Sequence, residues 1–185
     1  MKRRVVFSVS CAAILTGCVS ADVHTWRIVP VPGEIRGGTG CRVGVRSIGL
    51  PSAMSQTSVP EPGGAYMANT FQNDLWAGPL ATILQIAMVQ NLAQRLPSDS
   101  VMVNGGAIGA ASNQFVEIQI LDFSPNVLGQ VALSAQLATR FSASQNWQFE
   151  NFISHSPGGQ TPETIVAAMS SLWGEAADRL ATMLS

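Results

Sequence analysis

The chain has 185 residues, of which 46% are hydrophobic and 11% are charged. This length fits one or two domains, and the hydrophobic content excludes an intrinsically disordered chain. The formal net charge of -1 argues against a nucleic-acid-binding protein, which would carry an excess of basic residues. Lys2 is the only lysine. A P-loop and a lysine Schiff base are therefore excluded from the rest of the chain.

Residues 1–17 have the pattern of a secretory leader. A positive segment at residues 2–4 is followed by an apolar run at 5–15, which is too short to span a bilayer. The run ends in Leu15-Thr16-Gly17-Cys18, which resembles the lipobox of bacterial lipoproteins. The alternative is an ordinary leader that happens to be followed by a cysteine.

The lipobox resemblance implies cleavage between Gly17 and Cys18, with lipid and acyl chains such as palmitate attached at Cys18. Several acyl chains would anchor the protein lastingly without a spanning helix. Residues 18–24 would then form a lipidated tether. No Asp follows Cys18 at the position that usually retains lipoproteins in the inner membrane. The resemblance therefore favours an outer-membrane anchor that faces the periplasm of a Gram-negative bacterium.

The three cysteines agree with this interpretation. Cys11 leaves with the leader and Cys18 carries the lipid, so Cys41 is the one that remains in the domain. A single thiol cannot form an internal disulfide, and we expect Cys41 to lie inside a strand as a small hydrophobic residue. An intermolecular bridge is the alternative.

Alternating apolar and polar residues predict several short strands in the first half of the domain. The clearest covers 41–48, where Arg42 and Arg46 point outward. These arginines are expected to form a solvated face, with a binding role as the alternative. The other predicted strands cover residues 25–29, 56–59 and 66–70.

A long amphipathic helix is predicted over residues 74–96, where Pro79 is tolerable only in the first turn and Pro97 ends the run. The second half of the chain predicts strands at 100–104, 115–123, 131–141 and 147–153, with a tight hairpin at 126–129. A final helix opens at Thr161-Pro162-Glu163 and runs to the C-terminus. Together these elements predict a single α+β domain over residues 25–185. Two long helices would pack on a mainly antiparallel sheet of about five to six strands.

The sequence contains no convincing catalytic site. His24 is expected in the tether and His155 in a loop, and no His or Cys pair has metal-ligand spacing. Glu117 and Asp122 have opposite parity in a regular strand, which makes them poor partners for paired-acid chemistry. A Ser-His-Asp triad stays open, because its members need not be close in sequence. We predict no catalytic residue, no metal, no cofactor and no enzyme activity.

The run Trp76-Ala77-Gly78-Pro79-Leu80, followed by a helix that ends at 92–97, resembles the central motif of the ABC-type transport auxiliary lipoproteins. The resemblance extends over residues 26–184. It includes the strand that ends in Leu50-Pro51 and the alternating strand at 116–123. Gly78 departs from the pattern, because an acidic residue is common there.

This resemblance implies a non-catalytic docking or conduit subunit of an intermembrane lipid transport system. Its partners would be a periplasmic MCE-domain protein and ABC transporter subunits, and a homo-oligomeric ring is compatible with such a part. Trp76, Pro79 and Leu80 would have a structural or partner-contact role. Trp76 is expected to anchor the helix start in the core, with a partner contact as the alternative. Trp173 lies one position off the inner stripe of the last helix and is the candidate for an exposed aromatic contact.

Two other functions remain. An assembly or scaffold lipoprotein of the outer membrane would associate with a barrel protein instead of an MCE-domain protein. A periplasmic hydrolase would need a deep pocket with converging polar groups.

Overall fold

A computed structural model of the chain describes residues 22–38, 40–64, 67–141, 143–144 and 146–185. The predicted leader and the lipidation site, with Gly17 and Cys18, lie outside the described residues. Within the described part the chain forms eight strands in two sheets, two long helices, a short helix α2 (Gly106–Gly109) and a 3-10 turn (Ser52–Met54). The predicted single α+β domain is confirmed.

The smaller sheet has three strands in the order β1-β4-β3. These are β1 (His24–Trp26), β3 (Ser58–Pro60) and β4 (Thr70–Trp76). β4 pairs parallel with β1 and antiparallel with β3.

The start of the long helix is later than the sequence predicts. Residues 74–76 belong to β4, and α1 spans Leu80–Arg95 with Pro79 at its N-cap. Trp26 lies opposite Trp76 in the parallel pair, and Trp26 Nε1 donates to Asp74 Oδ1 at 2.9 Å. These partners are about 50 residues apart in sequence, so local periodicity could not reveal the strand.

The larger sheet has five strands in the order β5-β2-β6-β7-β8. They are β2 (Arg42–Val45), β5 (Ser100–Val103), β6 (Gln114–Pro125), β7 (Gln130–Phe141) and β8 (Gln148–Pro157). β6, β7 and β8 are antiparallel, whereas β2 is parallel to both β5 and β6. The predicted antiparallel pairing therefore holds for β6, β7 and β8, whereas β2 and β5 pair in parallel. Cys41 is half-buried immediately before β2, and not inside it.

The predicted hairpin between β6 and β7 is confirmed. Asn126 Oδ1 accepts from the backbone N–H groups of Leu128 at 2.9 Å and Gln130 at 3.1 Å. Gly129 adopts a positive φ of 76°, which favours glycine. This end of the hairpin is tied to the start of α3, because Gly159 N–H donates to the carbonyl of Gly129.

A β-bulge in β6 changes which residues face outward. Ile120 lies opposite Ala135 and Asp122 lies opposite Ser134, so Leu121 is the extra residue. Before the bulge the even-numbered residues of β6 point into the core, and beyond it the odd-numbered ones do, so Phe123 is buried. Glu117 and Asp122 are consequently both exposed on the outer face, contrary to the prediction from a regular strand.

The last helix, α3 (Pro162–Leu184), begins with a capping box between Thr161 and Thr164, as its opening residues indicate. It packs on α1 on one side and on β3, β6, β7 and β8 on another, while Ala167, Glu175, Arg179 and Thr182 stay exposed. Trp173 is fully buried, stacks on Phe123 at 6.2 Å, and donates from Nε1 to the Leu84 carbonyl at 3.0 Å. The prediction that Trp173 is exposed is therefore wrong, because α3 is buried on two sides.

The outer side of α3 is joined to β8 by polar contacts. Arg179 Nε pairs with the Glu150 carboxylate, and Ser154 Oγ donates to Glu175 Oε2 at 2.6 Å. The hydrogen bond with Glu150, followed by the charge of that carboxylate, raises the pKa of Arg179 above its ordinary value. Arg179 thus stays charged throughout the physiological range.

A buried guanidinium joins the two long helices to the segment that follows β1. Arg95, at the end of α1, is fully buried and donates to both carboxylate oxygens of Asp178 in α3, at 2.6 and 3.2 Å. It also donates to the carbonyls of Val31, Asn91 and Gly174 at 3.0 to 3.1 Å. A buried charge is stable only when its donors are satisfied in this way.

We predict that Asp178→Asn lowers the free energy of unfolding by about 2 kcal/mol, because it removes the negative partner of a buried cation. Urea denaturation monitored by circular dichroism would measure this change. The control is Glu61→Gln, which neutralises an exposed carboxylate and should change stability by less than about 0.5 kcal/mol. Equal effects of the two substitutions would show that the Arg95 pair does not stabilise the fold.

Candidate functional site

A largely apolar cavity of about 630 Å³ lies between the β3–β4 side of the smaller sheet and the hairpin end of β6 and β7. Its size falls in the range of small-molecule sites, about 300 to 1,000 Å³. The 3-10 turn and both long helices complete the wall. Large apolar side chains on this wall come from Met54, Trp76, Leu80, Phe123, Val127 and Met169.

Two of the three motif residues identified in the sequence line this cavity. Trp76 ends β4 with 6% of its surface exposed, and Leu80 opens α1 with 6% exposed. Both residues contribute to the cavity wall. Trp76 therefore anchors in the core, although at the end of a strand and not at the start of a helix.

The third motif residue, Pro79, shapes the turn that connects these two. Its carbonyl accepts from the N–H groups of Thr82 and Ile83 at 3.0 and 3.1 Å, which starts the helix. The other end of the turn is fixed because Ala77 N–H donates to the Trp26 carbonyl at 2.8 Å. The motif thus places an aromatic and an aliphatic side chain side by side on one wall.

The charges at the cavity are acidic. Glu61 and Asp122 line it, and no arginine is among the described lining residues. Asp122 accepts from Ser124 Oγ at 2.7 Å, which orients its carboxylate. An apolar ligand with a neutral or cationic polar end would suit these walls, whereas an anionic group would be repelled.

The histidines do not join this site. His24 is the first residue of β1 and not a tether residue, and its Nδ1 lies 3.5 Å from Asp74 Oδ1. His155 lies on β8, exposed and opposite Ala132, and not in a loop. Among the residues that the structure describes, no group of three or more His, Cys, Asp or Glu side chains is placed to hold a metal.

Sequence reasoning missed most of the cavity wall. Phe123 reaches it only because the bulge at Leu121 shifts the strand parity, and Met169 belongs to a helix face expected to contact a sheet. The alternation breaks at Ile120-Leu121, where two apolar residues are adjacent, but this break alone does not distinguish a bulge from the end of a strand, so these residues were not assigned in advance. Trp76 and Leu80 could be found, because the motif resemblance identified them.

Comparison with known proteins identifies one family and a set of solved structures. The family model described as the ABC-type transport auxiliary lipoprotein component matches residues 29–181. The crystal structure of an uncharacterized protein superposes with a TM-score of 0.75 at 16% identity, over 89% of this chain and 100% of that one. Protein XCC0632 from Xanthomonas campestris gives a TM-score of 0.65 at 13% identity, over 89% and 95% of the two chains. At these identities the similarity concerns the fold alone. No curated protein matches the sequence.

No helix in the described ranges combines the length and the apolar character that crossing a bilayer requires.

We predict that filling the cavity mouth weakens the binding of a neutral apolar fluorophore such as phenylnaphthylamine. Ala53 lines the cavity from the exposed 3-10 turn, and Ala53→Trp should reduce the affinity about tenfold, or 1.4 kcal/mol. A fluorescence titration of the chain expressed from residue 22 would measure this. Ala93→Trp is the control, because Ala93 is exposed on α1 outside the cavity. Equal affinities of the two variants would contradict a binding role for the cavity.

Proposed function

The chain belongs to the ABC-type transport auxiliary lipoprotein family, and from that premise we propose its specific role. It acts as a lipid-anchored docking or conduit subunit at the outer membrane, facing the periplasm. Its partners are a periplasmic MCE-domain protein and the subunits of an inner-membrane ABC transporter. The protein contributes binding and not chemistry, and lipids are the cargo of the system.

The observation that carries this proposal is the match of the family over residues 29–181, which includes the motif on the cavity wall. A transport auxiliary component needs a surface or a cavity that holds an apolar molecule without altering it. The cavity beside Trp76 and Leu80 has that character, because its large side chains are apolar and its described charges are two carboxylates. The lack of a P-loop lysine also leaves ATP hydrolysis to a partner.

The anchor at Cys18 would hold the domain close to the membrane. The first strand begins at His24, six residues after Cys18. At about 3.5 Å per residue, an extended tether of this length spans roughly 20 Å. A homo-oligomer of this protein would therefore assemble against the membrane surface, with the tethers of all subunits on the membrane side.

We predict that Cys18→Ser removes the lipid anchor and leaves the leader uncleaved. Mass spectrometry should show the loss of the acyl chains, and cell fractionation should show the protein leaving the outer-membrane fraction. Cys11→Ser is the matched control, because Cys11 lies in the leader and its substitution should leave lipidation unchanged. Outer-membrane localisation and acylation that persist in Cys18→Ser would contradict the anchor.

The partners are tested by affinity purification of the full chain, tagged after Ser185, from native membranes. We predict that mass spectrometry recovers an MCE-domain protein and ABC subunits, and that Cys18→Ser recovers far less of both. Recovery of a barrel protein in their place would support an assembly role. Recovery of the lipoprotein alone would contradict the docking role.

A further inference from the structure

The outer face of the larger sheet, opposite buried Val116 and Ile118, carries a cluster of arginine and aromatic side chains away from the cavity. Where β6 begins and β7 ends, Phe115 lies opposite Arg140. Arg46 follows β2, and its N–H donates to the Val116 carbonyl at 2.9 Å, which brings its side chain to the same place. We define Arg46, Arg140, Phe115 and Trp147 as the arginine–aromatic cluster.

Both guanidinium groups of this cluster stack on the same two aromatic rings. The Cζ atom of Arg140 lies 5.0 Å from the Trp147 centroid and 5.5 Å from that of Phe115. The Cζ atom of Arg46 lies 5.4 and 6.0 Å from the same two centroids. Cation–π contacts at these distances favour the placement of both guanidinium groups at one point of the surface.

The charges of the cluster are not balanced. Glu117 Oε2 accepts from Arg46 Nη1 at 2.8 Å, with 41% of the arginine side chain and 49% of the glutamate side chain exposed. Arg140 has no hydrogen-bond acceptor and no carboxylate partner among the described residues, and its Nε atom is buried. Two cations therefore lie at one point of the surface beside a single carboxylate, which pairs with Arg46, and the Nε–H group of Arg140 has no acceptor among the described residues.

Such an arrangement fits an oxyanion. A guanidinium presents paired N–H groups that match the oxygen atoms of a phosphate, and the resulting charge-assisted bonds are stronger than neutral ones. An anion here would relieve the repulsion between Arg46 and Arg140 and would accept hydrogen bonds from the terminal Nη groups of Arg140. The cluster is also separate from the cavity, whose described charges are acidic.

The residues beside the cluster indicate the source of the phosphate. Phe149 has 77% of its surface exposed, and its ring lies 6.5 Å from that of Trp147. Ile153, four residues and therefore about 13 Å further along the same face of β8, is 67% exposed. Inorganic phosphate would gain nothing from these apolar groups. A molecule with a phosphate ester joined to an apolar part would contact both.

We propose that Arg46 and Arg140 form a binding site for the phosphate group of an anionic phospholipid, with Phe149 and Trp147 contacting the apolar part next to it. The site is independent of the partner docking proposed above. It would hold lipid headgroups at the outer face of the sheet, away from the neutral or cationic ligands that suit the cavity.

The full chain in micelles of a neutral detergent is titrated with phosphatidylglycerol, with diacylglycerol of the same acyl chains, and with inorganic phosphate. Tryptophan fluorescence reports binding, and a Trp147→Phe variant identifies the part of the signal that comes from the cluster. We expect phosphatidylglycerol to bind more tightly than the other two ligands. Arg140→Gln should weaken its binding about tenfold, and added salt should weaken it further.

Two variants separate site geometry from total charge. Arg42→Gln removes the same charge from an exposed arginine of β2 outside the cluster, and it should change binding less than about twofold. Arg140→Lys keeps the charge but loses the planar donors, so its affinity should fall between those of the native chain and Arg140→Gln. Thermal unfolding by circular dichroism confirms that each variant is folded.

The outcomes that overturn the proposal are specific. If Arg42→Gln and Arg140→Gln weaken phosphatidylglycerol binding equally, the binding depends on the total charge of the protein and not on the cluster. Binding of diacylglycerol as tight as that of phosphatidylglycerol would exclude phosphate recognition. Inorganic phosphate could instead bind as tightly as the lipid and lose that binding in Arg140→Gln. This result would show an oxyanion site but would contradict a phospholipid as its ligand.

Discussion

The packing of this domain depends on one buried cation. Arg95 ends α1 inside the protein, and its donors reach Asp178 in α3 and the carbonyls of Val31 and Gly174. Desolvating a guanidinium is costly, so the two helices and the segment after β1 must adopt the arrangement that supplies all its acceptors. The approach is close enough that a Cβ atom at Gly33 would lie 2.1 Å from Arg95 Nη2. A glycine is therefore needed at position 33. The contacts of Arg95 thus fix the positions of the two helices and the path of the segment after β1 at the same time.

The fixed position of α1 has a consequence for the cavity. Because α1 begins immediately after β4, the turn at Pro79 holds Trp76 and Leu80 on one wall. The hairpin of β6 and β7 supplies the facing wall, and the bulge at Leu121 turns Phe123 inward to complete it. The cavity therefore comes from the meeting of the two sheets and is not a property of either sheet alone.

Two surfaces with opposite charge result from this architecture. The cavity carries carboxylates among apolar side chains, whereas the outer face of the larger sheet carries Arg46 and Arg140 among aromatic rings. A component that handles amphiphilic molecules would gain from this separation, because apolar and anionic parts would be recognised at different places.

The sequence by itself determined the α+β class, the hairpin at 126–129, the cap at Thr161 and the motif on the cavity wall. Each of these depends on residues that are near neighbours along the chain, so their physical preferences can be read locally. Only the tertiary structure decided that residues 74–76 form a strand, that Trp173 is buried, and that Glu117 and Asp122 share a face. It also brought Arg140 beside Arg46, which lies more than 90 residues earlier. These features follow from parallel pairing, a bulge and the burial of α3 on two sides, all of which are contacts between distant segments.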